Sequence, residues 1–165
     1  MTHKNHFDGT QYQAQFSDEK TKLPGSDLVW LNEVRTSAMS RFEETGLPGP
    51  KVEEWKYTNV SRALGDSLLA VAPEDPQEIV IHIPRGQNRE QAEDIVWTGV
   101  DGTHHQPRLK IIMEDGAQAT VVEKHEGQGA YWKNMGTEIV LGANARLNHV
   151  RIQNDSIDAV QTNMT

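Results

Sequence analysis

The sequence predicts a mainly β protein with an N-terminal α-helical segment, its strands leading into a right-handed parallel β-helix that stops short of a cap. Two observations predict this. Helix signals lie before residue 70 and strand signals after residue 78, a segregated order. Within Leu109–Gln153 one unit is written twice: a β-branched run, a Gly-Ala-polar-Ala corner and a second run. Gly116-Ala117-Gln118-Ala119-Thr120 returns as Gly142-Ala143-Asn144-Ala145-Arg146, 26 positions on. Gly tolerates the positive φ of a sharp bend, and small neighbours leave room for an adjacent coil. A repeated strand–corner–strand unit buries its apolar face on the next copy. Two ordinary hairpins of a sandwich are the competing reading. Parallel hydrogen-bonded pairing of the two corners decides between them.

The elements follow in order. Residues 1–25 are polar, with Phe7, Tyr12 and Phe16 the large apolar groups before Leu23; they predict a disordered start and a weak helix near 11–20. Ser26–Thr45 is the strongest helix, with Ser26 as N-cap, Asp27 at the positive end, and a stripe of Leu28, Leu31, Val34, Ala38 and Phe42 that Trp30 widens. Gly46 is its C′ residue and Pro48 blocks continuation. In the loop that follows, Trp55 and Tyr57 sit among charges and are expected to anchor it to the domain body. Thr58 or Asn59 caps a short helix over Val60, Ala63 and Leu64. Leu68–Gln77, with Pro73 and Pro76, reads as a linker. Ile79, Ile81 and Ile83 alternate with Val80 and His82 as a strand, and Ile95-Val96-Trp97 is a second, before the turn Gly99–Gly102. The domain reading is 1–70 for the helical segment and 71–165 for the β-rich region.

Composition narrows the function classes. The chain has 165 residues, net charge −8 and no cysteine, with a mean hydropathy of −0.66. That leaves no disulfide, thiolate ligand or cysteine nucleophile. An acidic chain without a basic stripe argues against nucleic acid and anionic membrane as partners. No apolar run approaches the ~20 residues that cross a bilayer, and the start lacks a signal core. A cytoplasmic protein is expected.

The stretch Gly46-Leu47-Pro48, Lys51, Glu53-Glu54-Trp55-Lys56-Tyr57-Thr58 resembles the N-terminal signature of the SufD family of iron–sulfur cluster assembly proteins. It follows a helix carrying Trp30-Leu31, Arg35 and Ala38–Phe42, as in that family, and the Gly-Ala-x-Ala coils resemble the family's β-helix. Gly46, Leu47, Pro48, Glu54, Trp55 and Tyr57 are the motif residues. The sister family SufB shares the β-helix but is less similar around 46–58. The resemblance implies a non-catalytic scaffold that pairs with a SufB-like protein and a SufC-like ATPase, the cluster belonging to the complex and no cofactor to this stretch. Family chains run past twice this length, so the chain corresponds to an N-terminal portion, and its docking regions have no counterpart here. A histidine common in relatives near position 161 is replaced by Gln161.

Residue chemistry adds little to that. A metal site needs several ligands on one face. Among His3, His6, His82, His104, His105, His125 and His149, adjacent His104 and His105 point to opposite faces. In the 26-residue alignment Glu123 stacks on His149, with His125 two residues along, so Glu123, His125 and His149 are the candidate ligands. The plainer reading makes them polar groups on a solvated strand face. A β-helix carbohydrate lyase needs grouped carboxylates, but Glu114, Asp115, Glu123, Glu138, Asp155 and Asp158 are scattered, the last two on opposite sides. A cupin-like metal protein would hold metal through His125 and His149. No P-loop and no Gly-x-Ser-x-Gly elbow occurs. Strand edges left open near Val150–Ile152 and Ile157 predict self-association into a closed dimer.

Overall fold

The computed structural model describes residues 10–69, 71, 74 and 77–165. His3, His6 and Phe7, and the linker prolines Pro73 and Pro76, lie outside the described residues. The chain forms two compact units, Met1–Ala63 and Leu64–Thr165.

The first unit is helical. α1 (Thr10–Glu19) stands where the weak helix is expected. α2 (Val29–Thr45) has its N-cap at Leu28, two residues later than Ser26. The chain turns first through Gly25 at φ 69°, with Leu28 N–H bonded to the Gly25 carbonyl at 3.0 Å. Leu28 is the N-cap and supplies no side-chain bond, while the Ser26 carbonyl accepts from Asn32 Nδ2 at 2.6 Å. The half-buried stripe is rotated from the expected one and runs Leu31, Arg35, Met39, Phe42. Trp30 and Val34 are exposed. An arginine can cover apolar surface with its stem while its head finds a partner; Arg35 Nη2 donates to the Pro24 carbonyl at 2.8 Å. Phe42 meets Tyr12 edge-on at 5.9 Å.

The C-terminus of α2 follows its expected chemistry: Gly46 has φ 65° and its N–H returns to the Phe42 carbonyl at 2.7 Å. After an irregular loop, Glu53–Trp55 forms one 3-10 turn. Trp55 is half-buried, but Tyr57 is 94 % exposed, so only one of the two aromatics can anchor. A single short turn cannot aim positions 55 and 57 the same way, and Tyr57 instead lies under the Lys56 ammonium, 5.8 Å from its ring centre. Asn59 caps α3 (Val60–Leu69), its Oδ1 accepting from Arg62 N–H at 3.0 Å. α3 breaks at Gly65, φ 62° and ψ 173°.

The second unit is a stack of about three flattened coils. The first runs β1 (Gln77–Ile83), a corner, then β2 (Glu93–Gly99). The second is β3 (His104–His105) with β4 (Pro107–Met113), a corner, and β5 (Gln118–Gly127). The third is β6 (Trp132–Leu141), a corner, and β7 (Arg146–Asn154), after which β8 (Val160–Met164) opens the next. Every pairing between coils is parallel: β1–β4–β6 with β3 and β8 in one sheet, β2–β5–β7 in the other. No hairpin joins the two repeated units; they are successive coils.

The rung is 28 residues and not 26. Gln118 pairs with Arg146 and Ile111 with Ile139. The corner places one residue in the left-handed region, and that residue is Gly86 (φ 67°), Gly116 (φ 68°) and Asn144 (φ 58°) in successive coils. Asparagine is the non-glycine residue that tolerates this conformation best, so Asn144, not Gly142, is the partner of Gly116. Backbone bonds stack the corners: Gly86 N–H to Asp115 carbonyl at 2.9 Å, Gly116 N–H to Ala143 carbonyl at 2.8 Å. Between the first coil and the second the offset is 30 through β1 and the corner, as Gln77 pairs with Pro107 and Asn88 with Gln118, and it falls to 28 where Glu93 pairs with Val121. The first coil's two extra residues therefore lie between Asn88 and Glu93.

Strand alternation sends every second side chain between the two sheets. Ile83, Ile111, Met113, Ala117, Ala119 and Val121 fill the corner side of that interior and are nearly or wholly buried. Each large aliphatic one contributes about 1.5–3 kcal/mol by leaving water.

Candidate functional site

At 28 residues per rung, interior positions form columns along the stack. One reads Ile95, Glu123, Arg151; the next Trp97, His125, Gln153. Glu123 therefore stacks on Arg151, and the 26-residue pairing with His149 is displaced; His149 stands under Val121. The three candidate ligands still converge, because His149 reaches diagonally. Glu123 Oε1 accepts from Trp97 Nε1 at 3.2 Å and His125 Nε2 at 3.0 Å. Its Oε2 accepts from His149 Nε2 at 2.8 Å and from Arg151 Nε and Nη2 at 3.2 and 3.1 Å. Glu123 and His125 are fully buried, so they do not lie on a solvated face.

Five N–H groups from three coils thus meet one carboxylate. An ionised carboxylate has about four lone-pair positions and only accepts, so the site is saturated. Burial opposes ionisation of Glu123, but bonds from His125, Arg151 and His149 outweigh it and hold its pKa down at about 2. The His125 proton belongs on Nε2, facing the carboxylate, and Nδ1 accepts from Gln161 Nε2 at 3.3 Å. Gln161 in turn accepts from Gln153 at 2.7 Å. Among the described residues no group of three His, Cys, Asp or Glu side chains is placed to hold a metal ion. The Arg151 guanidinium stands where a cation would have to approach.

A second polar cluster lies beside the first, around Lys133, which no local sequence motif marks. Lys133 is 1 % exposed. Its ammonium donates to the Trp97 carbonyl (2.9 Å), the Glu126 carbonyl (3.1 Å) and Asp155 Oδ1 (2.6 Å). The buried Tyr131 hydroxyl donates to the same oxygen at 2.6 Å. Burial, then the Asp155 carboxylate, raises the Tyr131 pKa well beyond its usual value. The ring lies against Gly99 and Gly127; a Cβ on Gly99 would stand 2.2 Å from Tyr131 Cε2. Gly99 and Gly127 pair in register, and Asp155 follows at the same interval, so the column gives room in two coils and a carboxylate in the third. That column, Gly-Gly-Asp at a spacing of 28, was the signal available in the sequence.

Among the described residues, His82, His104 and His105 do not bond the Glu123 carboxylate, though His105 meets the Tyr131 ring edge-on at 6.4 Å. His104 and His105 do face opposite ways: His104 is buried and stacks on Trp132 at 3.9 Å, while His105 bonds Glu74 Oε2 at 2.8 Å and Thr103 Oγ1 at 2.6 Å. Neither His104 ring nitrogen has a hydrogen-bond partner among the described residues, and burial lowers its pKa to about 4. His82 is half-exposed and pairs with Glu114 at 2.9 Å. The acids are likewise engaged or apart: Asp115 with Arg85, Glu138 with Lys110, Asp155 inward with Lys133, Asp158 exposed. The interior locks coils together and, among the described residues, presents no free carboxylate pair. The motif residues Gly46, Leu47, Pro48, Glu54, Trp55 and Tyr57 belong to the helical unit.

Comparison with known proteins agrees with both parts of this architecture. A family model described as SUF system FeS cluster assembly, SufBD core domain, matches residues 95–165, and one described as SufBD protein N-terminal region matches residues 8–70. An iron–sulfur cluster assembly SufBD family protein of Synechocystis sp. is 38 % identical over 64 residues, covering 33 % of this chain and 14 % of its own length. The chloroplastic protein ABCI7 of Arabidopsis thaliana is 28 % identical over 101 residues, covering 54 % of this chain and 21 % of its own. The chain thus spans about a fifth or less of the curated relatives it matches. No solved structure gives a significant match.

Proposed function

The chain belongs to the SufBD family of the SUF iron–sulfur cluster assembly system, and we propose that it serves there as a non-catalytic scaffold of the SufD type. The observation that carries this is the order of the two family regions, N-terminal helices and then core coils, matched to a helical unit and a parallel coil stack. The signature Glu53-Glu54-Trp55-Lys56-Tyr57-Thr58 favours SufD over SufB. The saturated interior supports a scaffold, since its buried carboxylates are already committed to N–H donors of the chain. On this reading the partners are a SufB-like protein and a SufC-like ATPase, and any cluster is held by the complex. A cytoplasmic setting is part of the proposal; among the described residues no helix is long and apolar enough to cross a membrane.

Co-purification of the full-length protein with SufB-like and SufC-like partners tests the reading. A stable three-component complex is the expected result. A protein that purifies alone and cleaves polygalacturonate would instead be a carbohydrate lyase, and one that retains stoichiometric metal through His125 and His149 would be a metal-binding protein.

A further inference from the structure

The Gly46–Thr58 motif walls a concave surface within the helical unit. Thr45 at the end of α2, the loop Leu47–Val52, and Asn59, Ser61 and Arg62 at the start of α3 line it. Leu47, Pro50 and Val52 are the apolar side chains of its lining, and Lys51 and Arg62 its exposed cations. Neither cation takes an ion pair among the described residues. In the coil unit Arg85, Arg89, Lys110, Lys124, Lys133 and Arg151 are paired with carboxylates, whereas Arg108 bonds backbone carbonyls. The lining holds two cations and no carboxylate, a local sign opposite to that of a chain of net charge −8.

We propose that this hollow is a docking groove for a partner protein's extended peptide segment, one that carries carboxylates on either side of an aliphatic side chain. Charge complementarity selects the occupant. Lys51 and Arg62 favour an acidic segment and would repel a basic one. The apolar lining takes the aliphatic group, which a simple anion does not have. Pro48 and Pro50 restrict the loop's backbone, so little conformational freedom is lost when it is covered. Asn59 is already occupied as the α3 cap and holds Arg62 in place without using its guanidinium. The inference goes beyond the scaffold role and does not depend on it.

The test is a titration of the full chain, labelled with nitrogen-15, by the blocked pentapeptide Asp-Glu-Leu-Glu-Asp. Amide shifts confined to residues 45–62 are expected, with affinity falling about tenfold in the exposed double variant Lys51→Glu, Arg62→Glu and falling as salt is raised. The variant's unchanged amide spectrum outside the groove shows that it is folded. The isosteric Asn-Gln-Leu-Gln-Asn peptide should fail to bind. Three results would overturn the proposal: no shifts, shifts that the double variant leaves intact, or the same shifts from inorganic phosphate at equal ionic strength.

Discussion

On the corner side of the coils the buried side chains are Ile83, Ile111, Met113, Ala117, Ala119 and Val121; on the far side they include Glu123, His125, Lys133, Tyr131 and Trp97. Both sides are equally closed to water. The apolar side tolerates approximation, because dispersion and burial are summed over many contacts. The polar side does not, because each buried donor or acceptor left without its partner costs its full desolvation. The same coil therefore has a forgiving edge and an exacting one.

The largest effect should come from the exacting edge. Glu123→Ala leaves His125, the Trp97 N–H and Arg151 Nε without an acceptor, Arg151 Nη2 keeping only Thr137 Oγ1, and should cost about 3–5 kcal/mol in urea unfolding. Near-isosteric swaps sharpen the contrast: Glu123→Gln should cost far more than Met113→Leu, for which under ~1.5 kcal/mol is expected. Equal costs would mean that the carboxylate contributes volume only.

Acid should expose the contrast without mutation. His104 has a pKa of about 4 in the fold against 6.5 when unfolded, so the unfolded chain takes the proton first and stability falls as pH drops through that interval. Glu123 stands at about 2 against 4.5; its contribution is complete above the unfolded value and is lost as pH falls through the folded one. Each gap corresponds to about 3 kcal/mol. Unfolding free energy measured from pH 7 to 2 should fall in two overlapping steps, the upper absent in His104→Phe and the lower in Glu123→Gln.

Gly99→Ala should cost about 1–3 kcal/mol by driving a methyl into the Tyr131 ring, and the double variant with Tyr131→Leu should recover part of it. The smallest effect belongs to the corner: Asn144→Gly relieves a positive φ and should gain less than ~1 kcal/mol. A loss there would show that the asparagine side chain contributes more than its tolerance of that conformation.

The parallel stacking was legible because Gly-Ala-x-Ala corners recur between β-branched runs. Matching letters gives a spacing short by two, because the fold matches backbone angle: Gly116 and Asn144 share a conformation, Gly116 and Gly142 do not. With 26 in place of 28 every column shifts, and the opposite charges of Glu123 and Arg151 no longer face each other. The α2 stripe was offset for a related reason, since Arg35 lies on the half-buried side and Val34 faces out. Buried Lys133 carries no local sign of its burial; only the rung length reveals that Asp155 and the Trp97 carbonyl await it.

The five-donor carboxylate also sets an order in time. Trp97 lies upstream of Glu123, while His149 and Arg151 lie up to a full rung downstream. During synthesis the first two coils emerge with the Glu123 charge half-satisfied, and Lys133 lacks Asp155 until the third is out. At roughly 5–20 residues per second a rung takes about 1–6 s to appear, much longer than strand pairing. For that interval the nascent stack ends in a hydrated carboxylate and cannot dry its interior. Each coil is thus closed by its successor, and the protein matures from its N-terminus in steps whose pace is the ribosome's.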